Sequence, residues 1–213
     1  MLHLKSFVFS PFSENTYIIY NEHKECIIVD PGMYDQNERN QFFEFIEESD
    51  LKPKMLLNTH CHLDHVFGVQ AVLEKFDIPF LFHELELPVY DNGEQVAKTY
   101  GVNLSLPKGK HQFISENETV ALGEDVLEIR LTPGHSPGSI CFYYPKASWI
   151  VSGDVMFRQS IGRTDLPGGD FDTLIKSVRE QLFTLPDDTV VHSGHGPETT
   201  VGFEKENNPF LNM

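Results

Sequence analysis

Met55 to His65 reads MLLNTHCHLDH, and His60, His62, Asp64 and His65 all fall within six of those residues. Three imidazoles and a carboxylate are costly to bury side by side unless a positive charge sits among them. Nitrogen and oxygen donors without thiolate suit zinc, iron or manganese, so the spacing points to a metal site. More donors follow downstream, each at the end of an apolar run: His135 in TPGHSPG, Asp154 in VSGDVMF and His195 in HSGHGPE. Together these ligand-type residues suffice for two ions.

His60 and His62 fall on one side of a loop, while Asp64 and His65 turn to the other. The expected sets are His60, His62 and His135 around one ion, and Asp64, His65 and His195 around the second. Asp154 bridges, because its two oxygens can reach ions about 3.5–4 Å apart. Five imidazoles and two carboxylates leave such a centre positive, which lowers the pKa of a shared water toward about 7. The resulting bridging hydroxide is a nucleophile that Asp64 can orient. The expected reaction is hydrolysis of an activated ester, thioester, lactone, amide or phosphate. A thiolate leaves without a proton more easily than an alkoxide or amine, and no further His or Lys stands beside the ligands to act as a general acid. Thioesters therefore come first.

Two more residues draw attention. Asp30, in VDPG, is an expected acceptor for the N–H of a ligand histidine, the alternative being a turn cap ahead of Pro31-Gly32. Arg163, in the glycine-rich GRTD, is expected to clamp a substrate carboxylate, the alternative being a structural or solvated side chain. Cys61 should point away from His60 and His62. His3, His23, His83, His111 and His192 lack clustered partners and read as ordinary surface or core residues.

The elements that carry these groups can be read in order. LHLKSFVF, NTYIIY and ECIIVD are expected strands, and NERNQFFEFIEESD an amphipathic helix with Phe42, Phe45 and Ile46 on one face. MLL is a short buried strand, VFGVQAVLEKFD a helix with His65 near its start, and IPFLFH a strand parallel to MLL. Glu84 to Tyr100 has patchy helical character interrupted by Pro88 and Gly93. TVALGEDVLEIRLTPGH reads as a hairpin delivering His135, SWIVSGD as the strand delivering Asp154, and SIGRTDLPGGD as loop. FDTLIKSVREQLFTL reads as a helix capped by Asp170, and TVVHSGHG as the last strand, delivering His195.

With 213 residues, 40% hydrophobic and 12% aromatic, the chain can bury a substantial core. A formal charge of −16 argues against nucleic acid and against anionic membrane surfaces as partners. Cys26, Cys61 and Cys141 form no CxxC pair, and no disulfide framework is expected. The N-terminal stretch has no signal-peptide pattern and no segment is apolar enough to span a bilayer, so the expected location is cytoplasmic.

THCHLDH, then GH at 134–135, SGD at 152–154 and GHG at 194–196, resemble the metallo-β-lactamase superfamily. That resemblance implies an α/β fold, the αββα four-layer sandwich, as a single domain over 1–213 with two similar halves of about 1–110 and 111–213. Asp154 and His65 look like glyoxalase II, which cleaves S-acyl-glutathione thioesters, where a class B β-lactamase would usually offer Cys or His in place of Asp154. The GRTDLPGGD loop and the tail GHGPETTVGFEKENNPF resemble the short bacterial glyoxalase II-like hydrolases. Longer glyoxalase II enzymes add a C-terminal helical substrate domain with much of the glutathione-binding surface, and no such domain is expected here. The implied substrate is thus a small-molecule acyl-thiol, S-acyl-glutathione or a relative, and the implied cofactors are two divalent ions, zinc first, with iron or manganese as alternatives. The competing reading is a persulfide dioxygenase, a similar branch with one iron at residues matching His60, His135 and Asp154. Behind it stand a lactonase or β-lactamase and a non-catalytic metal-binding protein.

Overall fold

A computed structural model describes residues 1–211. The chain divides into two compact units, Met1–Ile114 with Ala121–Asp125, and Ser115–Val120 with Val126–Met213.

The first unit is built on a mixed sheet of six strands in sequence order: β1 (His3–Phe9), β2 (Glu14–Tyr20), β3 (Glu25–Val29), β4 (Lys52–Leu57), β5 (Phe80–Phe82) and β6 (His111–Phe113). β1 to β3 run antiparallel as a meander, and β3 to β6 are mutually parallel. Helix α1 (Gln36–Glu48) starts at a capping box: Asp35 accepts from the N–H groups of Asn37 and Glu38, and the Glu38 carboxylate returns to the Asp35 N–H. Its Phe42 and Ile46 are buried in a core with Phe7, Phe9, Ile28 and Leu56, while Phe45 is half-buried. Burying a Phe42-sized side chain contributes about 1.5–3 kcal/mol.

Two readings of this half are corrected. The helix expected after the histidine loop is split into α2 (Leu63–Val66) and α3 (Val69–Lys75). At the break, the Gly68 N–H donates to the Pro31 carbonyl, and a Cβ on Gly68 would sit 2.7 Å from that oxygen. The close approach of two backbones, invisible to periodicity, decides the break. Conversely, Leu87–Tyr100 forms one uninterrupted helix, α4. Pro88 lies in its first turn, where a missing N–H costs nothing, and Gly93 does not break it.

The other six-stranded sheet, most of it in the second unit, has the order β14-β13-β10-β9-β8-β7. β7 (Thr119–Leu122) and β8 (Asp125–Leu131) form the expected hairpin, followed by β9 (Ile140–Tyr144) and β10 (Trp149–Gly153). The loop predicted after Asp154 carries a small hairpin, β11 (Met156–Phe157) with β12 (Ser160–Ile161). Helix α5 (Phe171–Ser177) is capped by Asp170, whose carboxylate accepts from the Thr173 N–H. The helical chain then continues in π geometry through Val178–Leu182, closed by the Phe183 N–H donating to the Val178 carbonyl. β13 (Val190–Ser193) runs parallel to β10 and is not the last strand. The chain turns back as antiparallel β14 (Thr199–Thr200) and then α6 (Val201–Asn207), capped by Thr200. Leu174, Val178, Leu182, Val191 and Val201 share this unit's core. Among the described residues no helix is long and apolar enough to cross a membrane.

Candidate metal centre

In the first unit, parallel strands β3 and β4 end side by side, and each delivers polar groups at its tip. Asp30 follows β3 directly and is fully buried with φ 49°, a left-handed conformation that Asp tolerates. One carboxylate oxygen accepts from the Thr59 N–H at 2.7 Å. The other accepts from the Thr59 hydroxyl at 2.5 Å and lies 3.1 Å from His65 Nδ1. The carboxylate thus reaches across to the histidine loop instead of closing its own turn. One donor atom from each of Asp30, His60 and His65 lies within 4.8 Å of the others. The His60 ring stands 4.8 Å from that of His62 and 4.1 Å from that of His65, centroid to centroid. Asp64 is buried on α2, its Oδ2 4.0 Å from His65 Nε2.

Side chains that sequence reasoning passed over hold this loop. Asn58 closes β4, and its amide donates to the carbonyls of His60, at 3.1 Å, and His65, at 2.8 Å. The buried Glu86 carboxylate accepts the Cys61 N–H at 2.8 Å. Cys61 itself lies in the apolar core, and burial pushes its thiol well up. Behind His65 sits a second buried carboxylate, Glu14, whose Oε1 is 3.8 Å from Nδ1. Burial raises the Glu14 pKa against the lowering effect of His65, and Asp30 adds to the rise. A polar residue at the end of a buried strand, as in LLNTH, was the one signal for Asn58.

In the second unit, three strands deliver one residue each: His135 follows β8, Asp154 follows β10, and His195 follows β13. Asp154 Oδ2 lies 3.5 Å from His135 Nε2 and 3.5 Å from His195 Nε2. His135 Nδ1 donates to the Arg163 carbonyl at 2.7 Å, which directs Nε2 toward the carboxylate. That contact depends on Gly162, where a Cβ would meet the Asp154 carbonyl at 1.8 Å. The Arg163 guanidinium is forked onto Asp165 at 2.7 and 2.8 Å, and Arg163 holds the Asp165 carboxyl down to about 2. The side chain nominated for a substrate carboxylate already holds one from its own loop. Downstream, Glu204 of α6 accepts the Gln159 N–H, and Asn208 donates to the Ser160 carbonyl, which ties the hairpin before Gly162 to the last helix.

The histidines left out of the ligand sets have other surroundings. His83 accepts the Leu85 N–H, His111 lies against Phe82, and His3 stacks on Tyr20. The three cysteines are buried and are not joined in disulfides. Both donor groups, imidazole and carboxylate without thiolate, match the chemistry of divalent zinc, iron or manganese.

The chain belongs to the metallo-beta-lactamase superfamily, whose family model matches residues 10–195. It is 40% identical over 206 residues to the probable metallo-hydrolase YqgX of Bacillus subtilis, covering 95% of this chain and 94% of that one. It is 37% identical over 203 residues to the hydroxyacylglutathione hydrolase GloC of Haemophilus influenzae, covering 94% of each. Among solved structures, BLEG-1 B3 metallo-beta-lactamase superposes with a TM-score of 0.88 at 36% identity, over 99% of this chain and 100% of that one. TTHA1623 in a di-iron-bound form gives 0.87 at 35% identity, over 97% and 100%. The metallo-β-lactamase fold expected from the motifs holds, and with it a metal-dependent hydrolase carrying candidate metal-binding His and Asp groups.

Proposed function

We propose that this protein hydrolyses acyl-thiols, S-acyl-glutathione or a close relative, with two divalent ions, zinc first. His60, His62 and His135 would hold one ion and Asp64, His65 and His195 the other, with Asp154 as the carboxylate that would serve both. The observation that carries the reading is Asp154, with one oxygen equidistant from His135 and His195. It stands where the resemblance puts the bridge of glyoxalase II, not the Cys or His of a class B β-lactamase. The name of the Haemophilus influenzae relative supports the same substrate class.

Bound there, the ions would supply Lewis acidity and an activated water at neutral pH. The chain's own residues do the rest. Asp30 orients His65 through Nδ1, the Arg163 carbonyl orients His135, and Asp64 would orient the attacking hydroxide. A substrate carboxylate reaches Arg163 by displacing Asp165. Cysteines without disulfides fit a reducing, cytoplasmic setting.

The test is one protein in three assays. Thiol release from S-lactoyl-glutathione without oxygen, together with about two ions per chain by metal analysis, is the expected result. Oxygen uptake on glutathione persulfide with one iron and no thiol release would replace the reading by the dioxygenase. Turnover of β-lactams or lactones without thioesterase activity would also overturn it.

A further inference from the structure

A buried carboxylate is costly unless hydrogen bonds meet it, and in the second unit Glu204 of α6 is buried completely. Its two oxygens take three donors from three separate stretches of chain. Oε1 accepts from the Thr199 hydroxyl at 2.5 Å. Oε2 accepts from the Gln159 N–H at 2.9 Å and from the Asn208 side-chain amide at 2.8 Å. Asn208, also fully buried, donates from the same amide nitrogen to the Ser160 carbonyl at 2.9 Å. Arg158 adds a further tie, its guanidinium lying 4.6 Å from the centre of the Phe203 ring. Arg158, Gln159 and Ser160 are thus held, one after another, by α6 and the residue that follows it.

These three residues turn the β11–β12 hairpin and begin its return strand. Gln159 stands at φ 55°, in the left-handed region that a side chain of its kind seldom occupies. Such a conformation persists only where the surroundings hold it, and the Glu204 carboxylate on the Gln159 N–H is one such hold. The hairpin in turn meets the candidate ligands of this unit. On β11, Phe157 stands edge-to-face against the His195 ring, centroids 6.0 Å apart at 87°. Just past β12, Gly162 leaves no room for a side chain beside the Asp154 carbonyl, and the Arg163 carbonyl accepts from His135 Nδ1 at 2.7 Å.

We propose that Glu204 is a positioning residue for the metal centre: through the β11–β12 hairpin it sets the ring of His195 and the acceptor that orients His135. The inference rests on the reading that these histidines hold ions, and not on the acyl-thiol substrate. Glu204→Gln keeps an oxygen in place of Oε2, while its amide donates to the Thr199 hydroxyl, which accepts as well as donates. Glu204→Ala keeps none of these bonds.

The probe is cobalt(II), titrated into metal-free protein and followed by its visible absorption, with NMR of the histidine rings recorded before metal is added. Glu204→Ala should shift the His195 and His135 ring signals and weaken cobalt binding about ten-fold or more, the usual effect of losing a group that orients a ligand. Glu204→Gln should return both readouts to their wild-type values. Asn208→Ala frees the Ser160 carbonyl while leaving Glu204 on Gln159, and it should shift the same signals, which keeps the test open if Glu204→Ala does not fold. Thr199→Val removes only the Oε1 donor, so it should lower Tm and leave ring signals and cobalt affinity unchanged. Unchanged signals and affinity in Glu204→Ala and Asn208→Ala overturn the proposal, as does a loss in Thr199→Val equal to that in Glu204→Ala. If the wild-type protein takes up no cobalt, the metal reading fails, and the ring signals of the metal-free variants alone decide the proposal.

Discussion

Gly162→Ala puts one methyl group where the second unit has no room for it. The added Cβ would stand 1.8 Å from the Asp154 carbonyl oxygen and 3.0 Å from His135 Nδ1. Relief requires the β11–β12 hairpin to retreat by about an ångström or more, against the hydrogen bonds that α6 makes to it. Overpacking of this kind costs about 1–3 kcal/mol. Losing the His135 to Arg163 contact, at 2.7 Å, adds about 0.5–1.5 kcal/mol. The combined loss of about 1.5–4.5 kcal/mol should lower Tm by about 3–18 °C for a chain of this size. Because His135 also loses the acceptor that orients its ring, ion affinity should fall about 10–100-fold. Gly101→Ala is the control: Gly101 ends α4 at φ 70° with nothing within 4 Å, so the substitution costs only backbone strain, about 1–2 kcal/mol, and leaves ion content alone. Thermal unfolding and metal titration on the two variants decide the matter. If Gly162→Ala matches Gly101→Ala in both, the hairpin does not position His135.

Other substitutions probe the same centre. Asp154→Ala should reduce the content of both ions together with activity, and two tightly held ions in that variant would mean that another residue bridges. Asp30→Asn keeps the left-handed backbone but replaces an acceptor facing His65 Nδ1 with an amide. Stability should drop by about 2–4 kcal/mol, and metal analysis should show the Asp64, His65 and His195 ion lost first. Burial lowers the His192 pKa below 6.5, with Glu198 opposing, so the unfolded chain binds a proton more readily than the folded one. Stability carried by neutral His192 is therefore lost as pH falls through 6.5 and below, and His192→Gln should flatten that loss in urea unfolding at stepped pH. An unchanged slope would exonerate His192. Burial also pushes the Cys26 thiol up to about 12, so native protein should resist iodoacetamide at about pH 8 and react only on unfolding.

The candidate metal-binding residues stand out in the sequence because their chemistry is local: THCHLDH concentrates donors that have few other reasons to cluster, and strand tips announce themselves as apolar runs ending in polar residues. The strands of the first unit were legible for the same reason, as was the Asp170 cap. What escaped reading is what two distant segments decide together. Gly68 breaks a helix because Pro31 crosses it, and Arg163 matters through a carbonyl that its side-chain type does not reveal. The π turn after Ser177 leaves no mark in a 3.6-residue pattern. The ligand pattern ends at His195 and carries no mark of α6, although Thr200 ahead of VGFEKEN is a visible N-cap signal.

Asn58, Asp30 and Glu86 fasten the backbone from Thr59 to His65 through groups that belong wholly to the protein. The shape of that loop is consequently fixed by amides and carboxylates, whichever ion the histidines receive. Zinc, iron and manganese should meet the same backbone, and none of them is favoured by a loop that adapts to its radius. Choice among metals then falls to donor chemistry and to what the cell supplies. The scaffold is a socket indifferent to its occupant, and a change of metal can alter reactivity without any change in the fold.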